Sequence, residues 1–139
     1  MRKTLLAVAG LLACGAVISG ADARVVVHVS KSRQMMYVYV DGYLEHSWPV
    51  STARGGYSTP SGSYRPTGFD PYHRSSKYHN SPMPYSIFFQ GGYAIHGSYD
   101  IRDLGRPASH GCIRLHPDDA AELYDLVRSS GGTRIVVSR

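Results

Sequence analysis

The chain has 139 residues with 42% hydrophobic and 18% charged positions and a formal net charge of +5. That is one domain's length, large enough for a modest core without disulfide staples. The basic excess is mild and is not gathered into a dense stripe, so nucleic acid is not an expected partner.

Taken in chain order, the first segment reads as a leader rather than as structure. "MRK" is a short basic start, "TLLAVAGLLACGAVISG" is apolar, and "ADA" supplies small residues at a cleavage spacing. We expect a signal peptide over 1–23, cleaved after Ala23, and a folded domain over 24–139. The apolar run is short of the ~20 residues that span a bilayer, so no membrane span is expected to remain after cleavage. Lipid attachment at Cys14 is a smaller alternative, disfavoured by the apolar residues after it. The expected location is outside the cytoplasm, in the periplasm or cell envelope, where a mildly basic protein suits an anionic polymer.

"RVVVHVS" (24–30) and "QMMYVYV" (34–40) are rich in β-branched and aromatic residues and read as strands. Asp41-Gly42 is a hairpin signal, and "YLEHSWPVS" (43–51) follows as a strand that Pro49 marks as an edge or an end. Residues 52–84 are dominated by Gly, Pro, Ser and Tyr. They read as a long functional loop holding one short strand near "GSYRP", with tyrosines and histidines forming a contact surface. "YSIFFQ" (85–90) and "YAIHGS" (93–98) read as a hairpin, and "GCIRL" (111–115) as another extended piece. The period then changes. Pro117, Asp118 and Asp119 open a helix whose Ala120, Leu123, Leu126 and Val127 share a face and which stops at Gly131. "TRIVVS" closes the chain as a strand.

Of the two cysteines, Cys14 lies in the leader, so Cys112 is the only one in the folded domain. A lone cysteine in an exported chain is either a reactive thiol, an intermolecular bridge or a small buried hydrophobe. Its surroundings, "SHGCIRL", bear on the choice. In an extended segment Ile113 and Leu115 point into the core, while His110, Cys112 and Arg114 share the other face. The arginine charge favours a thiolate, and Gly111 lets backbone N–H groups face a developing oxyanion. Same-face neighbours on a flat strand lie ~6.6 Å apart, from two rises of ~3.3 Å. A general base must reach within ~3.2 Å or act through a water. His110 is therefore too distant unless the chain bends at Gly111, and His96, at the end of the preceding strand, is the natural alternative.

"HGSYDIRDLGRPASHGCIRL" resembles the signature of the L,D-transpeptidase catalytic domain family. His96-Gly97 matches its upstream His-Gly, and Ser109-His110-Gly111-Cys112-Ile113-Arg114 matches its second part without departure. "STPSGSY" (58–64) and "MPYSIFFQGGYAIHG" (83–97) resemble two further stretches, so the likeness covers nearly the whole domain.

The resemblance implies a mainly β fold, an L,D-transpeptidase-like β-sandwich with one helix near the C-terminus. It implies that Cys112 attacks a peptidoglycan tetrapeptide stem, expels terminal D-alanine and forms a thioester, which passes to an amine or to water. His96 would be the acid and base for Cys112, oriented by the Gly97 carbonyl. His110 would shape the site. Gly111 and Cys112 N–H groups would form the oxyanion hole, with Ser109 supporting them. Arg114 would help order the site or hold a substrate carboxylate, and Tyr57 and Tyr85 are the expected further substrate contacts. No cofactor or metal is expected. Peptidoglycan stem peptides are the expected partners, with an envelope protein as a possible acyl acceptor.

Four rival readings stand beside this one. An L,D-carboxypeptidase would hydrolyse the same bond. Another cysteine hydrolase usually places cysteine before histidine, the reverse of the order here. A zinc site from His96, His110, Cys112 and His116 has suitable ligands but unusual spacing. A non-catalytic envelope-binding module would use the aromatic loop alone.

Overall fold

The computed structural model describes residues 23–139, so the expected leader lies outside the described residues except for Ala23. In chain order the elements are β1 (Val25–Ser30), β2 (Met35–Val40), β3 (Tyr43–Pro49), β4 (Gly62–Tyr64), β5 (Gly68–Arg74), β6 (Pro82–Gln90), β7 (Tyr93–Gly97), β8 (Ile113–Leu115), α1 (Pro117–Ser129) and β9 (Thr133–Ser138). A 3-10 turn, Ile101–Asp103, interrupts the spacer between β7 and β8.

The strands form two sheets, ordered β3-β2-β1-β9-β4 and β5-β6-β7-β8. β1 takes the centre of the first because alternate positions bury apolar side chains: Val25, Val27 and Val29 are fully buried. β9 pairs with it in parallel and brings the end of the domain back beside its start. The Asp41-Gly42 turn between β2 and β3 has φ of 49° and 84°, the two left-handed residues that a tight hairpin of this twist requires. α1 packs on β6 and β7. His116 caps its N-terminus by accepting from the Asp118 N–H, and Ala120, Leu123 and Val127 form its buried face. One apolar core joins both sheets and the helix. Among the described residues no helix is long and apolar enough to cross a membrane.

The stretch 52–84 departs from expectation. It holds the short β4, but also β5 and the first residues of β6, which form a hairpin. Asp70 and Pro71 are poor strand formers, and they hid β5. They are tolerated because β5 is the sheet's edge, where a missing N–H costs no ladder bond. Phe69 then anchors the strand, its ring 5.7 Å edge-on from Tyr124 of α1. β8 is also shorter than expected, starting at Ile113, because Gly111 leaves the extended region with φ of 139°.

Candidate active site

β8 lies beside β7 in parallel, with Ile95 opposite Ile113 and His96 opposite Arg114. Ile113 and Leu115 are fully buried, so Arg114 and Cys112 face away from the core. The other edge of this segment is held by residues 51–54. Ser51 and Arg114 exchange two backbone hydrogen bonds of 3.0 and 2.9 Å, and the Arg54 N–H donates to Ser109 O at 3.0 Å. The chain leaving β3 thus clamps the cysteine segment against β7.

Buried side chains fix the bend before Cys112. The Ser109 hydroxyl is fully buried, donates to Cys112 O at 2.6 Å and accepts from the Gly111 N–H at 3.0 Å. The Thr59 hydroxyl donates to Gly111 O at 2.8 Å and accepts from the Ala53 N–H at 3.0 Å. Gln34, itself held at φ of 52°, donates to Thr52 Oγ1 at 2.7 Å and accepts from the Thr52 N–H at 3.0 Å. Gly111 has no room for a side chain: a Cβ would meet Tyr93 at 2.7 Å and Ser58 O at 3.0 Å. The Gly111 N–H is engaged by Ser109, whereas the Cys112 N–H has no such partner among the described residues.

His96 is buried, and its Nδ1 lies 2.6 Å from Gly97 O. A carbonyl only accepts, so Nδ1 carries the hydrogen and Nε2 presents a lone pair. Burial pushes the His96 pKa down to about 4; the Gly97 contact opposes this, and the Arg114 and His73 charges add to it. Gly97 has a packing role too, because a Cβ there would meet Pro117 and Pro84 at 3.1 Å, where α1 closes on the sheet.

Cys112 is partly buried and its sulfur lies 3.8 Å from Gly92 O. Burial pushes its thiol up from the ordinary value, against a hydrogen bond from the Ala94 backbone and the charge of Arg114. Arg114 favours the thiolate as expected, but desolvation outweighs it. Both partners are therefore neutral at rest. His96 and Cys112 are diagonal neighbours on one sheet face, roughly 8 Å apart at Cα, within the combined reach of an imidazole and a thiol.

Arg114 is largely covered, and its guanidinium lies 4.0 Å from Asp103, which also binds Arg106. His110 stands beyond the Gly111 bend, between two loop tyrosines. Tyr78 stacks on it with ring centres 3.9 Å apart, and Tyr57 meets it edge-on at 4.8 Å. Tyr57 thus reaches the site, under the Arg54 guanidinium. The Tyr85 ring packs 5.6 Å from Tyr124 of α1 and against the core. His116 is likewise spent on the helix cap. Among the described residues no three His, Cys, Asp or Glu side chains converge as metal ligands.

The family model for the L,D-transpeptidase catalytic domain, YkuD, matches residues 24–137. The chain belongs to this family. The YkuD and YqjB proteins of Bacillus subtilis, both bearing L,D-transpeptidase names, are 23% and 26% identical to it over 81% of its length. The chain covers 65% of YkuD and 70% of YqjB. Among solved structures, an L,D-transpeptidase from Mycobacterium tuberculosis H37Rv superposes with a TM-score of 0.77 at 27% identity, over 84% of this chain and 58% of that one. One from Mycobacterium smegmatis gives 0.76 at 25% identity, over 84% and 59%. The same two-sheet fold occurs in LdtMt1, solved in complex with imipenem (TM-score 0.75, 24% identity, 84% and 59% covered).

Within this L,D-transpeptidase domain, sequence reasoning missed Gln34 and Thr52, and it named Tyr78 only as one of the tyrosines of the expected contact surface, without its partner His110. Tyr78 lay in the stretch read as loop, and only the β5–β6 hairpin carries it over His110. Gln34 sits in a turn and Thr52 between the isolated bridges of Ser51 and Ala53, with no local pattern to mark either. Thr59 did carry a signal, since it is the threonine of "STPSGSY", but its bond to Gly111 O is a tertiary fact.

Proposed function

We propose that the mature chain is an exported L,D-transpeptidase that acts on peptidoglycan tetrapeptide stems through a Cys112 thioester. The observation that carries this reading is the neutral pair: a buried imidazole with its Nδ1–H committed to Gly97 O, beside a covered but reachable thiol, in a chain of this family.

In the proposed reaction, the Cys112 sulfur attacks the carbonyl carbon of the third stem residue as His96 Nε2 takes the thiol proton. The Cys112 N–H donates to the oxyanion that forms. His96 then returns the proton to the departing amine of D-alanine, which leaves the thioester. An amine acceptor attacks the thioester next; the C–N bond forms, the C–S bond breaks, and the amine proton passes through His96 to the sulfur. Neutral partners suit both halves, because His96 must be an empty base before each attack. Ser109 and Thr59 hold the bend, Arg114 binds a substrate carboxylate, and His110 with Tyr57 and Tyr78 forms the wall by which the stem lies. Water as acceptor gives the L,D-carboxypeptidase outcome, and an envelope protein amine gives attachment of that protein. The cell envelope is the location that such a substrate requires.

Imipenem tests the nucleophile. Its strained β-lactam carbonyl is an acyl target for an activated thiol. Intact-mass analysis should show one adduct, mapped to Cys112, and none with Cys112→Ala. Absence of an adduct after prolonged exposure of the folded protein contradicts the reading.

A further inference from the structure

Gly111 O and the Cys112 N–H belong to one peptide group. A trans peptide is planar, so its C=O and N–H point in opposite directions and turn together. Whatever fixes the oxygen therefore fixes the direction of the N–H. Gly111, at a φ of 139°, has no side chain to limit that rotation. Ser109 does not limit it either. Its hydroxyl engages the Gly111 N–H and Cys112 O, which belong to the two neighbouring peptide groups. Among the described residues, the peptide between these two is held by Thr59. A hydroxyl has one proton, and a carbonyl only accepts, so the Thr59 proton goes to Gly111 O at 2.8 Å while the Ala53 N–H occupies a lone pair.

Thr59 is held in turn by a charged side chain. Lys31 Nζ donates to Thr59 O at 2.7 Å. Lys31 follows β1, where its own N–H donates to Ser138 O at 2.9 Å and its O accepts from Gln34 Nε2 at 2.7 Å. Gln34 holds Thr52, whose O accepts from the Ala108 and Ser109 N–H groups, each at 3.0 Å. The turn after β1 thus grips both flanks of the bend: 108–109 through Gln34 and Thr52, and Gly111 through Lys31 and Thr59. Gln34, Thr52 and Thr59 are buried, so they act on a substrate through the chain they hold.

We propose that Thr59, backed by Lys31, is a positioning residue for the oxyanion hole: it aims and polarises the peptide group whose N–H, that of Cys112, meets the oxyanion. This rests on the acyl-transfer reading above and adds to it the source of that donor's direction and strength. Two effects combine. The bond at Gly111 O stops the peptide from turning, and a donor that is already aimed needs no reorganisation as charge develops. A hydrogen bond accepted at the peptide oxygen also polarises the group, which makes its N–H a stronger donor. Lys31 keeps the Thr59 main chain in place beside Gly111, so that the hydroxyl stays within reach.

The test sets two reactions of one thiol side by side in the folded protein. Acylation of Cys112 by imipenem forms an oxyanion; alkylation by iodoacetamide displaces iodide and forms none. The ratio of the two rates cancels thiol acidity and access. Thr59→Val keeps the shape but cannot donate, and should lower the ratio roughly tenfold, less than the ~10²–10³ lost when an oxyanion donor is removed outright. Lys31→Met should lower it roughly threefold, because it loses a hydrogen bond behind Thr59 rather than the one at Gly111 O. Thr59→Ser and Lys31→Arg should keep the ratio of the intact protein. A residue needed only for the fold would slow both reactions together and leave the ratio where it was. An unchanged ratio in either folded variant, Thr59→Val or Lys31→Met, overturns the proposal and leaves the acyl-transfer reading standing. Absence of an imipenem adduct in the intact protein contradicts that reading, and the proposal falls with it.

Discussion

Acid should unfold this domain partly through one side chain. In the unfolded chain His96 titrates near 6.5, whereas in the folded chain burial holds it at about 4. Above pH 6.5 the ring is neutral in both states and stability is undisturbed. As pH falls below 6.5 the unfolded chain gains a proton that the folded one refuses, and stability is lost until about pH 4, where the folded ring also protonates. A shift of two to three units, at about 1.4 kcal/mol each, makes the loss about 3 kcal/mol. Urea denaturation at pH 7 and pH 4 measures it, with His96→Gln as the comparison. Glutamine can donate to Gly97 O as the imidazole does and does not titrate. The intact domain should lose about 3 kcal/mol more than the variant between the two pH values. Equal losses would refute the argument that His96 is held neutral by burial.

Gly111→Ala should destabilise the fold by about 2–4 kcal/mol, from strain at a positive φ and contact with Tyr93, and should slow Cys112 acylation; urea denaturation and imipenem kinetics read the two effects. Thr59→Val leaves Gly111 O and the Ala53 N–H without their partner and should cost about 1–3 kcal/mol by the same denaturation measurement, with the acylation rate falling as the bend loosens. Leu123→Ala, in the fully buried face of α1, should cost about 2–5 kcal/mol in thermal or urea unfolding, while the Cys112 adduct still forms below the lowered Tm.

The elements with a strong period were legible in the sequence. Val25, Val27 and Val29 alternate, Ala120, Leu123 and Val127 recur at helical spacing, and both found their burial in this way. Ile113 and Leu115 likewise gave away the face on which Cys112 lies. β5 was not legible, because an edge strand needs only one good side and Pro71 is allowed there. With that strand hidden, so were Tyr78 over His110 and His73 beside Phe88, two contacts that depend on the hairpin. The electrostatic argument about Cys112 had the right direction for Arg114 but was incomplete for a different reason. A charge two residues away is visible in a sequence, but the depth of burial that outweighs it is a property of the whole fold. Ser109 was read as a supporting residue, yet only the geometry shows that it occupies the Gly111 N–H.

The central claim is that Cys112 transfers an acyl group from a tetrapeptide stem. Purified disaccharide-tetrapeptides incubated with the mature domain, and followed by mass spectrometry, test it directly. The account predicts loss of the terminal D-alanine with formation of a cross-linked dimer or a tripeptide, through a trapped thioester on Cys112 that neither Cys112→Ala nor His96→Ala can form. Unchanged tetrapeptide with a folded, thiol-accessible protein, or turnover that survives in Cys112→Ala, would contradict it.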